Sequence, residues 1–191
     1  MEAVEALKAA NAEFESRLRQ VTSHDWDLPT PCPEWNVRAL VNHVLLGTRM
    51  SIQILSGMPR QDVIAALDDD LMADTSDPVA SFLELADQMV AGFSGPDGLA
   101  GMVEHPGGDF PRAVFAGFRV ADGAVHAWDL ARAIGADTTL DAELVQFAWD
   151  DVQPQRDMLV ATGMFGDSAS GTVGDDAPLQ TRYLDLMGRR P

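Results

Sequence analysis

A chain of 191 residues carrying 30 acidic against 13 basic residues, a formal net charge of -17, can bury one ordinary core and repels phosphate backbones and anionic lipid. No Lys/Arg cluster offsets that charge locally, and no apolar run approaches the roughly 18 residues of a membrane span, so neither nucleic acid nor membrane is expected as a partner. The single cysteine cannot close an internal disulfide and the amphipathic, acidic "MEAVEALKAANAEF" is no signal segment, so the expectation is a cytoplasmic protein with one domain over residues 1–191.

Apolar residues recur at intervals of three and four through most of the chain, which is helical periodicity. Val4, Leu7, Phe14 and Leu18 predict a first helix over about 2–22. Val37, Leu40, Val41, Val44 and Leu45 predict a second over about 37–57, with Asn36 as its cap and Gly57 and Pro59 as its stop. A third spans about 78–94, opened by Asp77 and Pro78 and closed at Gly95-Pro96. A fourth begins after the glycine-rich "GPDGLAGMVEHPGGDF", with Pro111 near its first turn, and reaches Gly135. A fifth covers about 139–162, and Pro154 inside it predicts a kink or a break. The tail over 163–191 is a loop followed by a short helix at about 178–187. The acidic "DDDLMADTSD" at 68–77 reads as a solvated loop. No segment alternates as a strand does, so any sheet has to lie within 95–110 or 163–176. The fold class is all-α: an up-and-down four-helix bundle with additional C-terminal helices.

Position separates the four histidines. His24 and His105 fall in loops, whereas His43 and His126 lie inside predicted helices. In "RVADGAVHAWDLARAIG", Asp122 and His126 are four apart, so they are neighbours on one helix face with Cβ atoms about 5–6 Å apart. Such a pair can share a metal whose third ligand comes from another helix, and His43 is the candidate; the other reading is a plain intrahelical Asp–His pair. Gly123 lowers helix propensity by about 1 kcal/mol relative to alanine, which points to a local cause such as close approach of another helix. Metalloprotease, nucleophile-elbow, P-loop and dinucleotide motifs are missing. Cys32 has proline on both sides and no basic neighbour in sequence, which fits a rigid turn better than a nucleophile.

"LPTPCPEWNVRALVNHVLLG" together with "VHAWDLARAIG" resembles the N-terminal domain family of mycothiol-dependent maleylpyruvate isomerase, a branch of the DinB/YfiT-like metal-binding helical bundles. The ending "DDAPLQTRYLDLMGRRP" is similar to single-domain members of that branch. The resemblance implies a DinB-like bundle in which His43, Asp122 and His126 hold a divalent metal, zinc first with nickel or iron as alternatives. It also implies mycothiol as a thiol cosubstrate, a small electrophilic substrate, transferase or isomerase chemistry, and a homodimer, although no exposed apolar stripe stands out as an interface. Asp122 departs from the isomerase, which has Glu there, and is shorter by one methylene. Asp129, three residues after His126, could orient a ligand imidazole such as that of His43, or could pair with Arg132 or Arg38. Arg119 could bind a substrate anion, but neutralising Asp122 is the preferred reading. Two further functions stay open: a non-catalytic metal-binding or interaction bundle, and a thiol-independent metal-dependent hydrolase.

Overall fold

The computed structural model describes residues 1–156 and 169–191, and among them are seven α-helices and one two-stranded hairpin. Helix α1 (Ala3–Leu18) stops short of the expected residue 22. Beyond it the Asp25 carboxylate accepts from the Thr22 backbone N–H and hydroxyl at 2.7 and 2.8 Å, a local turn that competes with helix. Helix α2 (Val37–Leu55) begins where expected, because Asn36 Oδ1 accepts from Ala39 N at 2.9 Å, and it ends ahead of Gly57, whose φ of 80° suits glycine. A six-residue helix, α3 (Arg60–Ala65), follows Pro59 and is too short to show periodicity in the sequence.

Helix α4 (Pro78–Phe93) is capped by Asp77, which accepts from Ala80 N at 3.0 Å. The expected loop over 95–110 holds strands β1 (Met102–His105) and β2 (Gly108–Pro111), an antiparallel pair of four residues each, too short for alternation to register. His105 therefore stands on a strand and not in a loop. Helix α5 (Arg112–Ile134) leaves Pro111 directly and terminates at Gly135, which is left-handed with φ 70°. Helix α6 (Ala142–Val152) is capped by Asp141, and the break expected at Pro154 appears as a 3-10 turn over Gln153–Gln155. The rest of the fifth predicted helix, up to 162, and the start of the following loop lie outside the described residues. The last helix is α7 (Leu179–Leu186).

Helices α1, α5, α2 and α4 close a ring of four: α1 packs on α5 and α4, and α2 packs on α4 and α5. The bundle is all-α, with α6 added against α5 and α7 against α6, and Tyr183 of α7 donating to Ala121 O of α5 at 2.8 Å. Its most buried member is α5, in which every residue from Phe115 to Ala131 is buried, so over that stretch the helix has no solvent face on which to place its polar residues. Small residues allow α1 to approach closely: a Cβ at Gly123 would sit 3.2 Å from Ala10 Cβ, the close helix contact its position suggested. No described helix is long and apolar enough to cross a membrane.

Substituting Gly123→Leu forces α1 and α5 apart and is expected to destabilise the protein by about 2 kcal/mol, measured by urea denaturation; an unchanged midpoint contradicts the close approach.

Candidate metal centre

Four polar residues, Arg119, Asp122, His126 and Asp129, recur on α5 at steps of three and four and form one stripe inside the bundle. All are buried, and a buried charge without partners costs several kcal/mol, so each must be answered by a neighbouring element. Helix α2 answers the middle of the stripe. His43 Nε2 lies 3.5 Å from Asp122 Oδ1, and His126 Nε2 lies 3.5 Å from the same oxygen. One ligand atom from each of the three residues falls within 4.8 Å of the others. The His43 side chain keeps 38% of its surface, against 4% for His126, so the cluster meets solvent at His43.

Arg119 Nη2 stands 3.1 Å from Asp122 Oδ2, yet the alignment makes no hydrogen bond, and both Asp122 Oδ2 and Arg119 Nε are buried without a hydrogen-bond partner. Room for the guanidinium comes from Gly47, one helical turn after His43, where an added Cβ would meet Arg119 Nη1 at 2.9 Å. Of the two sequence readings of Arg119, the structure therefore shows the charge beside Asp122. Burial works against the Asp122 carboxylate, but the charges of Arg119 and His126 and the bonds from His126 and His43 hold it well below the usual carboxylate range. The reverse holds for His126: burial opposes its charge, and Asp122, then hydrogen bonds with Asp122, Asp129 and Cys32, hold it well above the usual imidazole range.

Asp129 corrects one expectation. Its Oδ2 lies 3.0 Å from His126 Nδ1, so the imidazole it orients is that of His126 and not that of His43. Its arginine partner is neither Arg132 nor Arg38: Arg132 lies over the Trp128 ring, and Arg38 bonds Asp70. The partner is Arg189, at the other end of the chain, which donates from Nε to Asp129 Oδ1 at 3.1 Å and from Nη2 to Oδ2 at 2.6 Å. Although burial works against it, the Asp129 carboxylate is lowered by hydrogen bonds from His126 and Arg189.

The Pro-Cys-Pro-Glu-Trp segment closes over this arrangement. Val37 N donates to Leu28 O at 3.0 Å and Thr30 N to Trp35 O at 3.1 Å, pinching residues 30–35 into a tight loop ahead of α2. Within it the Thr30 hydroxyl accepts from Cys32 N at 3.1 Å and donates to Trp35 O at 2.9 Å. The loop places the Trp35 ring 4.5 Å from that of His43 and 5.8 Å from that of His126. It also places Cys32 Sγ 3.5 Å from Asp129 Oδ2 and 3.2 Å from Arg189 Nη2. The basic neighbour that Cys32 lacks in sequence is thus supplied from 157 residues away, and Cys32, His126 and Asp129 form a second group of metal-ligating atoms that shares His126 with the first. Sequence reasoning missed the parts of Gly47 and Arg189, and for Arg189 no local signal exists.

His24 is exposed in the loop after α1, while His105 packs between Phe110 and Phe115, with its imidazole pKa lowered by burial and by the charges of Arg119 and Arg60. A surface cleft of about 690 Å³ on the acidic side of α6, lined by Glu143, Asp150 and Asp151 among others, shares no residue with the histidine cluster.

The model of the mycothiol maleylpyruvate isomerase N-terminal domain family matches residues 7–131, a span that includes the α5 stripe, His43 and Cys32 but ends well before Arg189. Two uncharacterised proteins of Mycobacterium tuberculosis, from strains CDC 1551 / Oshkosh and ATCC 25618 / H37Rv, are each 33% identical over 144 residues, covering 75% of this chain and 74% of their own. Among solved structures, the mycothiol-dependent maleylpyruvate isomerase aligns with a TM-score of 0.62 at 12% identity, over 84% of this chain and 71% of that one, which shows a shared fold.

Removing the carboxylate at Asp129→Ala strands the buried Arg189 guanidinium and leaves His126 Nδ1 without its partner, and is expected to cost about 3 kcal/mol or more in urea denaturation, whereas Arg38→Ala at the exposed pair with Asp70 changes stability little. Equal effects from the two substitutions contradict the buried network.

Proposed function

The chain belongs to the mycothiol maleylpyruvate isomerase N-terminal domain family, and on that premise we propose a metal-dependent enzyme that transfers a low-molecular-weight thiol to, or uses it to isomerise, a small electrophile. In this reading His43, Asp122 and His126 hold a divalent cation, zinc first with nickel or iron as alternatives, and mycothiol is the thiol cosubstrate. The single observation that carries it is the state of Asp122. Its Oδ2, beside Arg119, is buried without a hydrogen-bond partner, and its Oδ1 faces two imidazole nitrogens, each at 3.5 Å. Those separations are long for hydrogen bonds and close to the roughly 3.3 Å between neighbouring ligands of a tetrahedral ion with bonds near 2.0 Å. Two nitrogens and one carboxylate also fit the donor preference of the ions named.

When bound, a divalent cation with three protein ligands keeps open coordination positions and favours the deprotonated form of a thiol or a water. The protein's own contribution is orientation and exclusion. Asp129 occupies His126 Nδ1, which leaves Nε2 for the Asp122 side. Trp35 covers both imidazoles and restricts water on that face. Arg119 balances the Asp122 charge while competing with any cation for it, and so moderates affinity. His43, the most accessible member, marks where a cosubstrate sulfur approaches. On the same reading the chain works in the cytoplasm, where its single cysteine stays reduced.

Metal analysis of the purified protein is expected to find a stoichiometric divalent ion that is lost in both His43→Ala and His126→Ala; stoichiometric metal retained in both variants defeats the assignment. Arg119→Gln removes the competing charge and is expected to raise metal affinity by about tenfold, measured by chelator competition. Assays of mycothiol with a panel of electrophiles are expected to show metal-dependent thiol consumption, whereas turnover of an ester or amide without thiol would assign a metal-activated water instead.

A further inference from the structure

We propose that Arg189 is a positioning residue of the α5 site, acting through Asp129 to hold the His126 imidazole in the rotation that presents Nε2 to Asp122 and His43. The inference rests on the metal reading for its consequence and on geometry alone for its substance.

The contact begins with a turn. Helix α7 ends at Leu186, and Gly188, with φ 78°, lets the chain double back: Gly188 N donates to Asp185 O at 3.0 Å and Arg189 N to Leu184 O at 2.9 Å. Leu184 and Met187, both without exposed surface, anchor that turn in the core. The Arg189 side chain therefore leaves a fixed point and enters the bundle, where Nη1 donates to Met187 O at 2.8 Å and so turns the remaining guanidinium edge toward Asp129.

That edge grips the carboxylate at both oxygens, Nε to Oδ1 and Nη2 to Oδ2. A two-point grip fixes the plane of a carboxylate, which a single donor does not. With the plane fixed, Oδ2 meets His126 Nδ1 from one direction only, at 3.0 Å, and the ring cannot rotate without losing that bond. Asp129 has no exposed surface in the presence of the guanidinium, so the grip is made out of contact with bulk solvent. The chain of constraint thus runs from the α7 turn to Arg189, to Asp129, to His126 Nδ1 and out at Nε2. Its first link lies beyond residues 7–131, so the segment after α6 adds to the site something the family-model region does not contain. Arg189 Nη2 also lies 3.2 Å from Cys32 Sγ, which ties the loop carrying Trp35 to the same point.

The test compares Arg189→Met, which keeps the apolar stem, and Arg189→Lys, which keeps the charge, with Leu186→Ala, which loosens α7 without touching Asp129. Two quantities are read on folded protein: the ¹⁵N shift of His126 Nδ1 in the metal-free state, and zinc affinity by chelator competition. Arg189→Met is expected to move the Nδ1 shift and weaken zinc binding about 10- to 100-fold. Arg189→Lys is expected to recover part of both, and Leu186→Ala to lower stability while changing neither. An unmoved Nδ1 shift in Arg189→Met overturns the proposal, as does a shift of equal size in Leu186→Ala. If the wild-type protein takes up no zinc, the metal reading fails, and the Nδ1 shift in the same three variants still decides whether Arg189 positions His126.

Discussion

A carboxylate with no exposed surface lies at the centre of this molecule, and much of the rest can be understood as its compensation. Asp129 sits on the most deeply buried helix of the bundle, where an ionised group alone would cost several kcal/mol. It is met by an arginine, an imidazole and a thiol from three separate parts of the chain: the C-terminal turn, α5 itself and the loop before α2. Each of those segments is held in turn by its own local device: the glycine turn after α7, the helix register of α5 and the proline-flanked loop pinched by Leu28 and Val37. The carboxylate therefore ties the turn after α7 and the loop before α2 to α5.

The same buried helix sets up the opposite situation about two turns away. Asp122 is also buried, though less completely than Asp129, and it is incompletely answered, with one oxygen lacking a hydrogen bond and Arg119 close but misaligned. Two carboxylates seven residues apart on one stripe thus differ in kind: Asp129 is saturated by partners, and Asp122 retains acceptor capacity. His126 joins them through its two ring nitrogens, Nδ1 to the saturated side and Nε2 to the unsaturated one. That division is what a site needs if one carboxylate is to orient a ligand and another is to be one.

Glycines decide how closely the helices approach around this stripe. Gly123 admits α1 at Ala10, and Gly47 leaves the volume that the Arg119 guanidinium fills beside Asp122. Neither position calls for an unusual backbone angle, so the requirement is space for a neighbour.

The helices were legible because their signals are local: Asn36 and Asp77 cap where they stand, and Gly57 and Gly135 close where they stand. The hairpin and α3 were not, since four- and six-residue elements are too short to display a period. Within the site, Asp122 and His126 could be paired from their spacing because a helix brings residues four apart onto one face, and the same periodicity put Asp129 near them. Which imidazole Asp129 would hold, and which arginine would hold Asp129, depended on how separate helices dock, and no interval along the chain encodes that. The amino-acid sequence by itself determined an all-α chain with a polar stripe on one helix and a histidine on another. Tertiary packing alone decided that Gly47 would open room for Arg119 and that Arg189, 60 residues beyond Asp129, would bond its carboxylate, because such contacts arise between surfaces that meet only once the core has formed.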